Sequence, residues 1–408
     1  MRKHIYIFIC LLLSVEFWQI SYIIDFLSFD VILVLTMVWA LGSFHFFRNN
    51  KKIRTLYSFQ YKKYSYWIFL GVSISMLSAY FTWKQEFLTT FLSQRFVYSF
   101  IMLPAILYAQ PTEKDIVKAL KWISIGTILV WIFYHFDQNL LFLDKNKREQ
   151  RELQDNFEID REYYVHGIYF VVFYLYFKIG EYIKKFSLKT FLEVSLILIF
   201  LILYQNRSML LVALPVFAYS ILKFNSKYKP VLIFVISLFV LSLLIYTIPI
   251  LEALIDESQN QLSDQDYNRW KALWYYLFEY SPNWFCYIFG NGFPSGGNSA
   301  LGDLMWSNFT IGIYASDVGM IGMWATYGII PLIVIYGMVY KIIRNSYFPI
   351  YLKFISLHIL FVPTIFHFWR NPGLFFFVLV IYLFCYYEVA NKRSISELSN
   401  IKKGSIEK

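Results

Sequence analysis

Apolar runs of about twenty residues recur along almost the whole chain, and each is long enough to cross a bilayer as a helix. Hydrophobic residues make up 58% of the 408 residues and charged residues 16%, whereas soluble domains are about 45–50% apolar and about 25% charged. We therefore predict an all-α polytopic integral membrane protein. The predicted spans, twelve in number, lie at about 5–24, 31–47, 66–83, 90–109, 119–136, 163–180, 191–205, 208–224, 231–250, 316–340, 350–366 and 372–389.

The placement of the basic residues predicts how the chain is oriented in the membrane. With both termini in the cytoplasm, 26 of the 37 lysines and arginines fall on the inside and the remaining 11 on the outside. The positive-inside rule favours this orientation. The net charge of +10 thus reflects topology, and it indicates membrane lipid and not nucleic acid as a partner.

Two of the predicted outer segments are long. The first, 137–162, is densely charged with both signs, and the second, 251–315, is large enough for a small subdomain. The predicted parts of the chain are helices one to nine in 1–250, the large extracytoplasmic loop in 251–315, helices ten to twelve in 316–390 and a cytoplasmic tail in 391–408.

The large loop contains a predicted amphipathic helix. In the stretch SDQDYNRWKALWYYLFEYSP, apolar residues recur every three or four positions. Ser263 and Asp266 form a capping box at its start, and Pro282 ends it. We expect its Trp- and Tyr-rich face to lie along the membrane interface. The glycine-rich FGNGFPSGGNSALGD that follows predicts a loop.

The sequence lacks the motifs of nucleotide and metal sites. The cysteines, Cys10, Cys286 and Cys385, form neither a disulfide framework nor a zinc-type spacing. No phosphate-binding loop and no H-E-x-x-H motif occurs, so we predict no cofactor and no metal. The start, MRKHIYIFICLLL, resembles a signal peptide without a cleavage site, which indicates an uncleaved first helix.

The stretch LILYQNRSMLLVALP places one arginine, Arg207, between two apolar runs. A charge in the middle of a single long helix would cost about 3 kcal/mol or more in hydrocarbon. We therefore predict a tight hairpin within 191–224 whose tip lies on the outer face. This position holds Arg207 near the level of the lipid head groups.

Polar residues collect at the predicted outer ends of the spans, although the positive-inside rule disfavours basic residues in short outer loops. Guanidinium groups bind phosphate through paired donors, so a rim of arginines suits a diphosphate. Simpler interpretations are arginines that extend to the interface, interfacial histidines and a helix cap at Asp317. His358, in mid-span, is expected to be a hydrogen-bonded core residue. The candidate site residues are Arg161, His166, Arg207, Arg269, Asp317, His367 and Arg370.

These features together resemble the bacterial O-antigen and capsule polymerases (Wzy-type), in the superfamily that includes the O-antigen ligases. The resemblance rests on the predicted topology with both ends inside, the large late loop, NRS at the head of a span, and NRWKALW…SPNWFCYIFGNG followed by SDVGMIGMWATYGII. The ligases usually carry a histidine near the end of the large loop. Here 251–315 has none and Ser316-Asp317 stands at the comparable place, which favours a polymerase. The Arg-x10-Gly repeat of some polymerases is also missing, because Tyr280 stands eleven residues after Arg269.

The resemblance implies a C-type glycosyltransferase-like fold and a substrate built on undecaprenyl diphosphate. Repeat units would be joined on the outer face of the cell inner (cytoplasmic) membrane, for O-antigen, capsule or exopolysaccharide, and a chain-length regulator would be a further partner. Asp317 or His166 would accept the proton of the attacking sugar hydroxyl. The residues expected to hold the diphosphate are Arg207 and Arg269, with Arg161, Arg370 and His367.

Two other functions remain open at this point. A ligase would move finished glycan to a different acceptor, and a flippase or another transporter would move the lipid-linked sugar without chemistry. Transporters usually have short loops and matched, broken spans. The long outer loop and the outer arginines of this chain favour the polymerase over the transporter.

Overall fold

The computed structural model describes residues 2–24, 27–47, 59–137, 140–141, 165–185, 187–204, 207–223, 268–296, 299–362 and 371–406. Within these ranges the chain is helical, and the extended pairing that they contain is an isolated antiparallel bridge between Ile20 and Leu141. The all-α class predicted from the sequence is therefore confirmed.

The described residues form α-helices that are numbered here in chain order. Those of the first half are α1 (Lys3–Ser14), α2 (Ser21–Ile24), α3 (Phe29–Phe46), α4 (Phe59–Trp83), α5 (Phe87–Ser93), α6 (Met102–Ala109), α7 (Glu113–Tyr134), α8 (Ile168–Lys184), α9 (Leu188–Leu203) and α10 (Arg207–Lys223). Those of the second half are α11 (Asn268–Trp274), α12 (Trp284–Phe289), α13 (Ala300–Thr310), α14 (Met320–Tyr327), α15 (Ile329–Arg344), α16 (Ile350–Phe361) and α17 (Asn371–Ile406). Short 3-10 turns occupy Glu16–Gln19, Arg95–Ile101 and Ala315–Val318, and a π-helical turn occupies Tyr275–Glu279.

Several helices are long and apolar enough to cross a membrane. Among the described residues, four pass this test by length and composition, and a fifth is gained if the pair Phe87–Ser93 and Arg95–Ala109, bent by 67°, is one span. Helices occupy eleven of the twelve predicted positions, while 231–250 lies outside the described residues. The class of membrane protein is thus supported, and the number of twelve spans stays a prediction. The four helices are Phe29–Phe46, Lys62–Trp83, Glu113–Tyr134 and Pro372–Ser394.

The first predicted span, 5–24, is broken in its middle, so the prediction of one continuous helix there is wrong. The helix α1 ends at Ser14, and the four residues of the turn Glu16–Gln19 have φ values of 52°, 52°, 57° and 54°. This segment is called the left-handed turn below. Left-handed backbone costs roughly 1–2 kcal/mol per residue that carries a side chain, so packing contacts have to hold the turn.

The indole of Trp18 supplies such a contact, because it lies between α7 and the start of α8. Its Nε1 donates to the hydroxyl of Thr127 at 2.9 Å. A Cβ on Gly126 would lie 2.4 Å from Cζ2 of the indole, and a Cβ on Gly167 would lie 3.3 Å from its Nε1. Glycines on both neighbouring helices therefore make the space that Trp18 fills.

The predicted span 316–340 is also broken, and one continuous helix there is a second wrong prediction. It consists of the turn Ala315–Val318, α14 and α15, with a break at Gly328, whose φ is 79°. The main-chain N–H groups of Asn291 and Gly292 donate to the carbonyl groups of Ala325 and Thr326 at 2.8 and 2.9 Å. The glycine-rich segment therefore pairs with the end of α14, and this pairing accompanies the break.

Two contacts near residues 110–113 fix the relative direction of three helices. The ammonium group of Lys3 donates to the carbonyl oxygen of Gln110 at 2.7 Å, and the hydroxyl of Tyr387 donates to the carboxylate of Glu113. The beginning of α1, the beginning of α7 and the later part of α17 therefore lie at one end of the bundle.

The centre of the bundle is α17. Every residue from 374 to 385 is exposed by 2% or less, as expected for a helix that is apolar on all sides and enclosed. It packs against the Arg95–Ile101 turn and against α1, α6, α8 and α15. In the described part of the chain, these four helices and the turn thus enclose the first half of α17.

Candidate functional site

His166 lies beside a buried carboxylate in front of α8. Its Nδ1 is 3.5 Å from Oε2 of Glu16 in the left-handed turn, and Nε2 of Gln19 donates to the same oxygen at 2.8 Å. Glu16 is 5% exposed and His166 is 6% exposed. The structure therefore supplies an imidazole that faces a carboxylate, which is a pairing capable of accepting and stabilising a proton.

The tip of the predicted hairpin lies close to this pair. The helix α9 ends at Leu203, α10 begins at Arg207, and the two helices pack against each other. The predicted break within 191–224 is therefore present. Tyr204, at the tip, packs in an apolar cluster that also contains Val165, the neighbour of His166. The structure thus brings the backbone positions of Arg207 and His166 to the same end of the bundle, while the side chain of Arg207 lies outside the described part.

Arg269 and Asp317 lie on two elements that contact each other. Arg269 is exposed on α11, and α11 packs against the turn Ala315–Val318, which contains Asp317. For Asp317 the structure describes the backbone alone. Two residues that are 48 positions apart in the chain are thus placed on neighbouring elements of one subdomain.

The predicted amphipathic helix around 267–278 is present as α11 and the π-helical turn after it. One face of this segment is buried against the rest of the protein, and the opposite face is exposed. Ala272, Tyr276 and Tyr280 form the buried face, in a cluster with Leu301 and Ile313. The opposite face exposes three large side chains, Trp270, Trp274 and Phe278. An exposed aromatic stripe of this kind suits the membrane interface, which stays a prediction for this helix. The predicted capping box lies outside the described residues.

Gln85 joins the glycine-rich segment to the end of α4. Its Nε2 donates to Thr90 Oγ1 at 2.7 Å and to the carbonyl oxygen of Phe293 at 2.8 Å. Its Oε1 accepts from the Ser295 N–H at 3.0 Å and from the Ser299 hydroxyl at 2.8 Å. All four hydrogen-bonding positions of the amide are therefore used to hold the segment in place.

Asn291 has a similar structural role. It is fully buried, its Nδ2 donates to Ser281 Oγ at 3.0 Å and to the carbonyl oxygen of Ala325 at 3.1 Å, and its Oδ1 accepts from Trp83 Nε1 at 2.9 Å. The predicted loop is confirmed over 290–296, whereas 300–303, the end of the same glycine-rich stretch, belong to the helix α13, so the loop prediction is wrong there. These bonds hold the segment against the end of α4 and against α14 as a fixed connection.

Cys286, in α12, has a fully buried thiol. Burial raises the pKa of its thiol above the ordinary value, and the sulfur lies 3.3 Å from the hydroxyl of Thr82. The thiolate is the reactive form of cysteine. The environment of Cys286 therefore suppresses the form that nucleophilic catalysis would need.

Three candidates, Arg161, His367 and Arg370, lie outside the described residues. His358 is a buried core residue whose Nδ1 is 2.5 Å from the hydroxyl of Tyr176, as the sequence predicts. In the described part of the chain no group of three or more His, Cys, Asp or Glu side chains is placed to hold a metal ion.

Sequence reasoning missed Glu16 and Gln85. Glu16 stands inside the first apolar run, and an acidic residue at such a position is by itself a signal of function or of a buried partner. Gln85 stands between two apolar runs, where an amide is ordinary. Its role depends on a segment more than 200 residues further along the chain, so no local signal exists.

The described residues define an all-helical protein with helices that are long and apolar enough to cross a membrane. They include the buried pair of Glu16 and His166 and, around α11, a subdomain rich in aromatic residues. No protein-family model, no curated protein and no solved structure matches this chain.

Proposed function

We propose that the chain is a polysaccharide polymerase that joins oligosaccharide repeat units carried on undecaprenyl diphosphate. The growing glycan moves from its carrier to a hydroxyl at the non-reducing end of the next repeat unit, on the outer face of the cytoplasmic membrane. The product is an O-antigen, a capsule or an exopolysaccharide. The partners are the lipid-linked oligosaccharide, membrane lipid and a protein that regulates chain length.

The observation that carries this proposal is the position of Arg207 at the first residue of α10, at the same end of the bundle as His166. The beginning of a helix offers main-chain N–H groups and a partial positive charge to an anion. A guanidinium at the same place adds paired donors. This arrangement suits the diphosphate of the carrier, whose negative charge rises as it leaves the sugar.

The second group supports the proposal independently. Arg269 is exposed on α11, next to the turn that contains Asp317. A basic and an acidic residue on adjacent elements are the two types needed to hold a diphosphate and to accept a proton. Asp317 and His166 are therefore the two candidates for the general base.

The proposed orientation places residues 3, 110–113 and 387 at the cytoplasmic end. Their joint position at one end of the bundle agrees with the charge asymmetry of the sequence. Cysteines introduced at exposed sites would test it in intact cells. Thr310→Cys should react with a membrane-impermeant maleimide, whereas a cysteine at Arg344 should not.

The function is tested with the full chain in liposomes and the lipid-linked repeat unit as substrate. The wild type should yield a ladder of lengthening glycans on a gel. Arg207→Ala and Arg207→Lys should each reduce the rate by about 10²-fold or more, since Lys lacks the paired donors. Arg344→Ala, at the last residue of α15 and at the proposed cytoplasmic end, is the matched control and should leave the ladder unchanged.

The same assay separates the competing functions. A ligase would transfer single units to an added acceptor without lengthening them, and a flippase would make the sugars accessible on the other side without any new glycosidic bond. A ladder of normal rate and length with Arg207→Ala would contradict the role assigned to Arg207.

A further inference from the structure

Glu16 and His166 are two ionisable side chains that the fold takes out of water together. Each is about 95% buried, and both ring nitrogens of His166 lie below the surface. Replacing a buried charged pair by apolar side chains of similar volume is often neutral or stabilising. The pair is therefore not explained by stability alone.

The backbone around Glu16 is strained as well. Glu16 and the three residues after it all have positive φ, a conformation that side chains other than glycine rarely adopt. Backbone strain of this kind persists where the surrounding structure over-determines it, and it is concentrated at functional sites. In this protein the strained segment contains the residue whose carboxylate faces His166.

The same segment supplies the other groups that fix the pair. Gln19 donates to the Glu16 carboxylate at 2.8 Å, and Trp18 is held by Thr127. On the side of His166, Gly167 has a φ of 123°, and a Cβ there would lie 2.4 Å from the Thr127 hydroxyl. The carboxylate is thus held by a side chain of the turn, and the backbone next to His166 packs closely against Thr127 of α7.

We infer that Glu16 is the positioning residue of His166 and that the two form the proton-accepting pair of the transferase site. This inference rests on the proposed function. The carboxylate faces Nδ1 at 3.5 Å, so Nε2 is the ring nitrogen assigned to the sugar hydroxyl. Glu16 then stabilises the imidazolium that forms.

The step balances without any further reactant. The O–H bond of the acceptor hydroxyl breaks, and its proton goes to Nε2 of His166. The oxygen forms a bond to the anomeric carbon, the bond from that carbon to the diphosphate oxygen breaks, and the electron pair leaves with the diphosphate. Arg207, whose backbone lies at the same end of the bundle, is the residue proposed to take up the charge of the leaving group.

The test compares Glu16→Gln with Glu16→Asp in the liposome assay. Glu16→Gln keeps the shape but removes the charge, so kcat should fall by about 10²-fold or more, while KM for the lipid-linked repeat unit stays within about two-fold. Glu16→Asp keeps the charge and should recover part of kcat. Glu86→Gln, an exposed glutamate at the start of α5, is the matched control and should behave like the wild type.

A second measurement does not depend on activity or on the stability of the variants. In wild-type protein with ¹⁵N-labelled histidine, the signal of His166 is identified by its loss in His166→Asn. Its nitrogen shifts should show the proton on Nδ1, because the tautomer follows the group that this atom faces. A proton on Nε2 instead would overturn the inference.

The outcomes separate the inference from the proposed function. If the wild type makes polymer and Glu16→Gln retains its kcat, the pair is structural and the inference is wrong while the polymerase stands. If the wild type makes no polymer under conditions where the NMR signal shows an intact pair, the proposed function is wrong, and with it the transferase role inferred for the pair.

Discussion

The backbone at Gly290 crosses the backbone at Gly328 in direct contact. A Cβ on Gly290 would lie 2.4 Å from the carbonyl oxygen of Thr326, and a Cβ on Gly328 would lie 2.4 Å from the carbonyl carbon of Phe289. Both glycines also have positive φ, 83° and 79°. The crossing holds the end of α12 against the break between α14 and α15.

Gly328→Ala should lower the free energy of unfolding by about 2–4 kcal/mol, because the new Cβ meets main-chain atoms and the φ is unfavourable. Thermal unfolding in detergent, followed by tryptophan fluorescence, measures the change. Gly337→Ala in α15 is the control, since nothing lies within 4 Å of its Cβ position. Equal melting temperatures for the two variants would contradict the crossing.

Gly126→Ala should destabilise the bundle because its Cβ would overlap the indole of Trp18 at 2.4 Å. Overpacking of this kind costs about 1–3 kcal/mol. The double variant Gly126→Ala/Trp18→Ala should cost less than the sum of its parts, since the clash disappears with the indole. Trp122→Ala, an exposed tryptophan on the same helix, should change the melting temperature little. Additive effects at 126 and 18 would show that the two residues do not touch.

Replacing Gln85 should loosen the glycine-rich segment. Gln85→Leu removes both donors and both acceptors and should cost roughly 3 kcal/mol or more, since buried partners are left unsatisfied. Gln85→Glu keeps the oxygen that accepts from Ser295 and Ser299 and should fall between Leu and the wild type. Limited proteolysis within 290–299 provides the measurement. Gln85→Leu should be cleaved fastest, Gln85→Glu more slowly and the wild type slowest. Any other order would contradict the hydrogen bonds described for Gln85.

The thiol of Cys286 should react slowly with iodoacetamide at pH 8. Burial raises its pKa, so less thiolate is present at that pH than for an exposed cysteine, and raising the pH should speed the reaction. Thr310→Cys, at an exposed position of α13, supplies the fast reference in the same protein. Mass spectrometry of the alkylated peptides gives both rates, and equal rates would be evidence against the buried thiol.

The helical membrane class could be predicted from the sequence, because the apolar content and the length of each apolar run can be read without knowing any tertiary contact. The breaks in the spans 5–24 and 316–340 could not be predicted in this way, because the hydropathy of a segment carries no information on its tertiary contacts. The first break depends on the fit of Trp18 against Gly126 and Gly167. The second accompanies the pairing of residues 291 and 292 with the end of α14. In both cases the contacts at the break are made by residues that are distant from it in the sequence.

The candidate site was predictable in part. Arg207 and His166 could be chosen from residue type and predicted topology, and the fold places their backbone positions at the same end of the bundle. Their partner Glu16 could not be paired with His166, because 150 residues separate them and the left-handed turn has no sequence signature. Its presence inside an apolar run was the one signal that the sequence offered.

The enclosed position of α17 has a consequence for how the protein is made. The helix α17 follows α1, α6, α8 and α15, which enclose it, in the chain, so it leaves the ribosome after them. During insertion those earlier helices have to remain separable in the plane of the membrane until the central one enters between them. Assembly of these helices is therefore a late closure around a segment that is synthesised after its neighbours, and not a stepwise growth outward from an early one.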